Sequence, residues 1–326
     1  MAQIKKDTSL RKAILQAAIT GQLISDIRGE SDVLFSNEKK SKTKLDSEAD
    51  LPLASRVSKR NSIVSDSERT TPSPRGYAPK TPNEFASFEN QNSVSERSER
   101  PTLPETGKEL LDKIIEERNN KLLADWEDAL KKNPKAKKPA DIVASEIDEE
   151  EIPFEVLESW CWCRLGNICT KLVDGDHNPP AGLPTKTEYI MASSKNINND
   201  SLVDLDKVRY LSKEVFEVEN ERTKAEKGDI FFTSVGTLGR SCVYDGSKNI
   251  CFHRSVSVIK TEIYNKFFKY CLDAPFIQYF IIDNATGTAQ KGFYLNQLAK
   301  LVIPLPPLEE QIEIVKKVEE LLHLCK

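Results

Sequence analysis

The stretch Ile303-Pro-Leu-Pro-Pro-Leu-Glu-Glu-Gln-Ile-Glu-Ile-Val315 decides how the fold closes, and the polar loop Gly287-Thr-Ala-Gln-Lys-Gly-Phe-Tyr-Leu-Asn-Gln-Leu298 precedes it. Proline cannot donate a backbone hydrogen bond, so the prolines at 304, 306 and 307 predict a short strand that stops there. Pro307 suits the first position of a helix, and Glu309 and Glu310 suit the positive N-terminal end of the helix dipole. This stretch therefore predicts a strand and then a helix that starts near Pro307.

A second strand is predicted upstream, because Ile230-Phe-Phe-Thr233 is a short apolar run and the glycines at 236 and 239 permit turns that a β-carbon would block. The corner where this strand enters its turn is expected to carry four polar side chains, Thr233, Ser234, Thr237 and Arg240. A plain hairpin is the simpler interpretation of these residues. The alternative is a Gly-x-x-Gly clamp for single-stranded nucleic acid, but that clamp joins two helices, whereas this motif follows a strand.

A short N-terminal helix is predicted over Thr8-Ser-Leu-Arg-Lys-Ala-Ile-Leu-Gln-Ala-Ala-Ile-Thr-Gly21, between polar capping residues and a terminating glycine. Its apolar stripe consists of Leu10, Ile14, Ala17 and Ala18. Such a stripe is too small to fold alone and requires a helix to pack against.

Further helices are predicted in the second half of the chain. Thr106 and Glu109 have capping-box spacing, and apolar residues then recur at helical period for about 25 residues, up to Pro134. Helical spacing returns over 267–282, with a break at Pro275. The final helix is expected to present a stripe suited to a partner helix, formed by Leu308, Ile312, Val315, Val318, Leu322 and Cys325.

Residues 29–105 have a different composition. Fourteen serines lie between Ser31 and Ser98, together with several prolines and charges of both signs. Such a segment cannot bury enough apolar surface to offset its chain entropy, so we expect a disordered linker.

Composition limits the classes of protein to which the chain can belong. The 326 residues are 38% hydrophobic, which suits one domain with appendages, and no apolar window approaches the roughly 18 residues of a membrane span. We therefore expect a cytoplasmic protein, and the seven cysteines are expected to be reduced thiols. Residues 152–326 contain 21 Lys plus Arg and 23 Asp plus Glu, a net charge of −2. Any surface that binds nucleic acid must therefore be a local patch.

Two groups of side chains contain metal-ligand types. Cys161, Cys163, Cys169 and His177 could supply zinc ligands, but C-x-C on a strand is not the usual knuckle and no second C-x-x-C follows. Asp174, Asp176 and His177 lie in a polar loop that could form the metal site of a nuclease. Motifs for binding nucleotides, dinucleotides or S-adenosylmethionine are absent.

Five segments carry a resemblance to a known family. They are L-R-K-A-I-L-Q-A-A-I-T-G at 10–21, S-W-C-W-C-R-L-G at 159–166, S-S-K-N-I at 193–197, G-D-I-F-F-T-S-V-G-T-L-G at 228–239 and P-L-P-P-L-E-E-Q at 304–311. Their order and spacing resemble a target recognition domain and its spacer helices in the DNA specificity subunit of type I restriction-modification systems. The resemblance covers residues 8–24 and about 107–326.

This resemblance implies sequence-specific recognition of one half of a bipartite double-stranded DNA target, without catalysis or a bound cofactor in this chain. Modification (methyltransferase) subunits would use S-adenosylmethionine, and restriction subunits would use ATP and magnesium. A full family subunit has two recognition domains, whereas we expect one here, so a homodimer or a second half-subunit would complete it. A homodimer predicts an inverted-repeat target. The alternatives are a non-functional fragment or interaction module, and a metal-dependent nuclease.

The expected organisation is an α+β fold with one mixed α/β target recognition domain, long α-helices of a coiled-coil spacer and a disordered linker. The expected domains are an N-terminal spacer helix (1–28), the linker (29–105), a connecting helix with a charged linker (106–151), the target recognition domain (152–306) and a C-terminal spacer helix (307–326). The family has a similar G-D-H-x-P-P turn in a domain that does no chemistry, so the loop at 173–180 is expected to face DNA rather than a metal. The expected DNA-binding residues are Asp176, His177, Lys195, Asn196, Ser234, Thr237, Arg240, Gln290 and Lys291.

Overall fold

The structure is a computed structural model that describes residues 2–24, 106–288 and 290–324, with side chains from residue 9 onward. The predicted linker at 29–105 lies outside these ranges. The described helices are α1 (Ala2–Ile19), α2 (Gly107–Lys132), α3 (Leu165–Ile168), α4 (Lys213–Thr223), α5 (Asn265–Asp273), α6 (Pro275–Asp283), α7 (Leu295–Lys300) and α8 (Leu308–His323). The described strands are β1 (Cys161–Arg164), β2 (Cys169–Asp174), β3 (Tyr189–Ala192), β4 (Arg209–Leu211), β5 (Ile230–Thr233), β6 (Ser241–Val243), β7 (Asn249–Phe252), β8 (Val256–Thr261) and β9 (Val302–Leu305). The predicted α+β class is confirmed.

In the described part of the chain the strands form three small sheets. β1 pairs with β9, a four-stranded antiparallel sheet has the order β2-β8-β5-β6, and a three-stranded sheet has the order β4-β3-β7 with β3 parallel to β7. The predicted strand at Ile230–Thr233 is β5, and all four of its residues are buried. Phe232 contributes to the main core and Phe231 to a second core, because successive strand residues point to opposite faces.

The predicted end of the fold is confirmed with a shift of one residue. β9 pairs with β1 so that Pro304 lies opposite Trp162, and α8 begins at Leu308 with Pro307 as its cap residue. Gln311 is fully buried, where its side chain accepts a hydrogen bond from the Tyr264 backbone N–H (2.9 Å) and donates one to the Pro306 carbonyl (2.9 Å). The turn before α8 is therefore tied to the segment before α5.

In two helices the residues that are buried differ from the apolar stripes predicted for them. α1 begins at Ala2, ahead of the expected cap, and buries Ile14, Leu15, Ala18 and Ile19, while Leu10 is 48% exposed. In α8 the side chain of Ile312 is 50% exposed and Ile314 is buried in its place, and Cys325 lies outside the described residues. The buried faces are shifted for two reasons. α1 packs against both α8 and α5, and the hydrogen bond of Gln311 holds its side of α8 in the core.

The start of α2 follows the prediction. Thr106 and Glu109 form the capping box, with the Glu109 N–H donating to Thr106 Oγ1 (3.2 Å) and the Thr106 N–H donating to Glu109 Oε2 (3.1 Å). Farther along, the guanidinium of Arg118 donates to the carbonyls of Gly166 (2.8 Å) and Asn167 (2.5 Å), which fixes α2 to the start of the recognition domain.

The two tryptophans of the S-W-C-W segment have different environments. Trp160 lies one residue before β1, and its buried indole N–H donates to Glu310 Oε2 at 2.7 Å. Trp162 lies within β1, and its ring packs edge-on against Phe154 with the ring centroids 4.9 Å apart. Only Trp162 therefore belongs to β1.

The helical region 267–282 is confirmed as two helices. α5 ends at Asp273, and Pro275 opens α6 at a position where a missing N–H costs nothing. Across the described ranges, each helix is too short or too polar to cross a membrane.

Candidate nucleic-acid interface

Three of the four predicted binding loops follow strands that end at one edge of the fold, and the fourth lies between α6 and α7. β2 and β5 run antiparallel to β8, so the loops after β2 and β5 lie beside the start of β8. β3 and β7 run parallel and therefore end side by side. The three residues His253–Ser255, which we name the central turn, join the end of β7 to the start of β8. The central turn consequently lies where both sheets meet.

The loop after β2 is bonded directly to the central turn. The Asp176 N–H donates to the carbonyl of Phe252 (2.7 Å), and the Arg254 N–H donates to the carbonyl of Asp176 (2.8 Å). A β-carbon at Gly175 would lie 2.1 Å from the Phe252 carbonyl oxygen. Only glycine therefore allows this approach.

The loop after β3 is attached to the other side of the central turn. The His253 N–H donates to the carbonyl of Ala192 (2.9 Å), and the Ser194 N–H donates to Ser255 Oγ (3.1 Å). The hydroxyl of Thr237 donates to the Ser194 carbonyl (3.0 Å), which joins this loop to the β5–β6 hairpin.

Two further loops join those bonded around the central turn: the loop of the β5–β6 hairpin and the polar loop before α7. The Ser234 N–H donates to the Ser255 carbonyl (2.9 Å), and the Phe293 N–H donates to the Ser234 carbonyl (2.9 Å). Gly236 and Gly239 have positive φ of 92° and 84°, as the turn requires, and antiparallel pairing of β5 with β6 confirms the plain hairpin. We name the surface formed by the central turn and the segments 174–177, 193–196, 234–240, 286–288 and 290–292 the loop face.

All nine predicted site residues belong to the loop face, but they differ in exposure. Asp176 and Thr237 are half-buried, whereas Asn196 and Ser234 are buried. The exposed members are His177, Lys195, Arg240, Gln290 and Lys291. Whether any of the nine contacts DNA stays a prediction.

The two buried members are held by internal hydrogen bonds. Asn196 Oδ1 accepts from the Ser193 N–H (3.0 Å), and its amide group donates to the carbonyls of Val203 (3.3 Å) and Asp204 (3.2 Å). The Oγ of Ser234 lies 2.5 Å from the Oγ of Ser257. This geometry gives Asn196 and Ser234 a structural role behind the loop face.

A polar cleft of about 200 Å³ opens on the loop face. Its lining combines the predicted Lys195 and Gln290 with His253, Arg254 and Ser255 of the central turn, which sequence reasoning missed. A signal was available, because the polar triplet His-Arg-Ser interrupts two apolar runs, as a turn between buried strands does.

Because residues 152–326 carry a net negative charge, binding to nucleic acid would need a local basic patch. The loop face has the charge of such a patch. Its residues include four cations and two carboxylates, a net of +2, against −2 for residues 152–326. The charged residues counted are Lys195, Arg240, Arg254 and Lys291, with Asp174 and Asp176. Burial, followed by the charge of Arg254, lowers the pKa of His253 below its usual range, so this imidazole is neutral at neutral pH.

The carboxylate of Asp174 is occupied by the side chains of Arg222 and His177. Arg222 donates to Asp174 Oδ1, and His177 Nε2 lies 2.9 Å from Asp174 Oδ2. Burial raises the pKa of Asp174, but these hydrogen bonds outweigh it and leave the pKa below its usual value. Arg222 stands where the nuclease alternative would require a metal ion.

The candidate zinc ligands are not grouped in the described part of the chain. No three His, Cys, Asp or Glu side chains are grouped to hold a metal ion within the described ranges. Burial raises the pKa of Cys169 to about 12 and that of Cys163 well above its usual value, as for thiols packed in an apolar core.

Comparisons with known proteins point to one family. The family model "Type I restriction modification DNA specificity domain" matches residues 158–325. The chain is 30% identical over 191 residues to the type I restriction enzyme EcoBI specificity subunit of Escherichia coli, covering 57% of this chain and 40% of that protein. It is 24% identical over 197 residues to the Escherichia coli EcoEI specificity subunit, covering 55% and 32%. The chain thus spans less than half the length of these relatives.

Solved structures with detectable similarity include two subunits of the same kind. An HsdS subunit from Thermoanaerobacter tengcongensis gives a TM-score of 0.38 at 16% identity, covering 67% of this chain and 49% of that one. A type I restriction-modification S subunit from M. genitalium gives a TM-score of 0.34 at 14% identity, covering 67% and 50%.

Proposed function

The chain belongs to the type I restriction-modification DNA specificity family, and from that membership we propose that it recognises one half of a bipartite double-stranded DNA target through its loop face. The observation that carries the proposal is the joining of the loops at the central turn. Reading base edges requires polar side chains held at fixed positions, and a set of loops bonded to one turn supplies them.

The charge distribution supports the same proposal. Affinity for DNA comes largely from cations that neutralise phosphates, and the loop face carries a net of +2 on a domain that is otherwise acidic. Lys195 and Lys291 are exposed and suit phosphate contacts, whereas the amide of Gln290 suits a base edge. A protein of this kind selects a site and performs no chemistry there.

We propose that catalysis belongs to partner subunits. Modification subunits would methylate the selected site with S-adenosylmethionine, and restriction subunits would use ATP and magnesium. The chromosomal DNA of Escherichia coli, the source of both relatives, lies in the cytoplasm, and we propose the same location for this chain. The second half of the target would be read by another recognition domain, from a second copy of this chain or from a different half-subunit.

The test is a methylome of cells that express the chain with its cognate modification subunit, compared with cells that lack the chain. We expect a new methylated bipartite motif that depends on the chain, and an inverted repeat would identify a dimer of two copies. An unchanged methylome would contradict the proposal and favour the fragment or interaction-module alternative.

A matched pair of variants ties the result to the loop face. The double variant Gln290→Ala, Lys291→Ala removes two exposed side chains of the loop face and is expected to reduce methylation of the motif. Lys248→Ala removes an exposed cation at the opposite end of β7 from the central turn, and methylation should be unaffected. If both variants changed methylation equally, the loop face would not be the surface that determines methylation.

A further inference from the structure

The arginines of the described chain fall into two groups by what their guanidinium groups bond. Five are used inside the protein: Arg11 with Asp200, Arg118 with backbone carbonyls, Arg164 with Glu151, Arg209 with the carbonyls of Pro179 and Pro180, and Arg222 with Asp174. Within the described ranges, none of the hydrogen bonds or ion pairs uses the guanidinium of Arg240 or Arg254. Both of these arginines belong to the loop face.

Arg254 differs from Arg240 in what holds its backbone: Arg240 bonds to Thr233 of its own hairpin, whereas the turn that carries Arg254 bonds to other loops. Its own N–H donates to Asp176, the N–H of His253 before it donates to Ala192, and the carbonyl of Ser255 after it accepts from Ser234 (2.9 Å). Loops on both sides therefore fix its backbone, while its side chain is exposed. A rigid backbone lowers the entropy cost of placing a long side chain against a partner.

Arg254 is also central, because its turn bonds to the loops after β2, β3 and β5 and lines the polar cleft with Lys195 and Gln290. Side chains at the centre of such a face reach toward the groove of a bound duplex, while those at its margin meet the phosphates. The planar fork of arginine matches the N7 and O6 acceptors of guanine in the major groove.

We propose that Arg254 reads a guanine of the target half-site by a two-pronged hydrogen bond, with Lys195 beside it on a phosphate. This assignment rests on the proposed function and adds the chemical identity of one base that the loop face selects. It also names a specificity-determining residue that the sequence motifs did not indicate.

The test is selection of duplexes from a randomised pool by the full chain in complex with its modification subunit, at one fixed salt concentration. We expect the wild-type motif to contain a strongly preferred G·C pair, and Arg254→Ala to lower that preference by about 10- to 100-fold while the other positions keep theirs. Lys195→Ala is the matched control, expected to weaken all duplexes alike, to reduce the salt slope by about 1 and to leave the motif unchanged.

Every other outcome contradicts the proposal, and each shows which part of it is wrong. If Arg254→Ala selects the wild-type motif with weaker binding, Arg254 contacts a phosphate, and if it selects that motif with unchanged binding, Arg254 has no role in recognition. If the wild-type complex enriches no motif, the proposed function fails as well. Thermal unfolding of Arg254→Ala should match the wild type because the side chain is exposed, and Arg254→Lys, which retains the charge without the fork, provides a second variant that should also lose the guanine preference.

Discussion

Replacing Gln311 by methionine should destabilise the protein although the side-chain volume is nearly conserved. Gln311 is fully buried in α8 and bonds two backbone groups that come from different parts of the chain. Methionine fills the same space but can neither accept from the Tyr264 N–H nor donate to the Pro306 carbonyl. Both backbone groups would then lose their partner.

The size of the effect follows from the burial of the two bonds. The bond to Pro306 is buried, so its carbonyl would lose its partner without access to water, at about 1–3 kcal/mol. The bond to Tyr264 is half-buried, so its loss should cost about 1 kcal/mol. We therefore expect the free energy of unfolding to fall by about 2–4 kcal/mol, which lowers the Tm of a domain of this size by roughly 5–15 °C.

Urea unfolding at pH 7 measures this loss, with Glu313→Met as the control. Glu313 is exposed on the same helix, so its replacement should change the free energy of unfolding by less than about 0.5 kcal/mol. A loss below about 1 kcal/mol for Gln311→Met would refute the claim that these bonds hold α8 in place.

A charged variant at the same position adds a pH signature. Gln311→Glu would place a carboxylate against the Pro306 carbonyl, and burial and this contact would raise its folded pKa above the unfolded value of about 4.3. The destabilisation should therefore grow as the pH rises from the unfolded to the folded pKa. A loss of stability that does not change with pH would show that position 311 is open to water.

Three further perturbations test the loop face and the core. Gly175→Ala should weaken DNA binding and lower the Tm, because its β-carbon would meet the Phe252 carbonyl at 2.1 Å, and unchanged binding would show that the loop after β2 can move aside. The pKa of Asp174 is lowered, so the stabilisation that its carboxylate provides is complete above the unfolded pKa of 3.8 and is lost as the pH falls through the folded pKa. Urea midpoints measured from pH 7 to pH 3 should therefore fall less steeply for Asp174→Asn than for the wild type. Lys269→Met should cost at most about 3–5 kcal/mol in urea unfolding, because it leaves the buried carboxylate of Asp273 with Arg11, 3.5 Å away, as its remaining cation, and adding Asp273→Leu should recover part of that loss.

Local features of the fold were predictable from the sequence because they depend on near neighbours in the chain. The capping box at Thr106, the hairpin after Thr233 and the break at Pro275 each follow from the conformational limits of a few adjacent residues. The collinear family motifs likewise identified the recognition domain from residue order alone.

Helix orientation could not be predicted in the same way. Periodicity shows that a helix has an apolar side, but the packing partner selects which residues of that side are buried. Leu10 and Ile312 are exposed because α1 and α8 bury neighbouring positions against each other and α5.

The candidate site shows the same division. The sequence determined which loops are polar and glycine-permitted, and the nine predicted residues all belong to the loop face. Only the tertiary structure decided that these loops meet at His253–Ser255, that Asn196 and Ser234 are turned inward, and that the guanidinium of Arg254 has no partner among the described residues. The physical reason is that the direction and order of strands fix which strand ends lie side by side, and that pairing joins residues 60 to 92 positions apart in the chain.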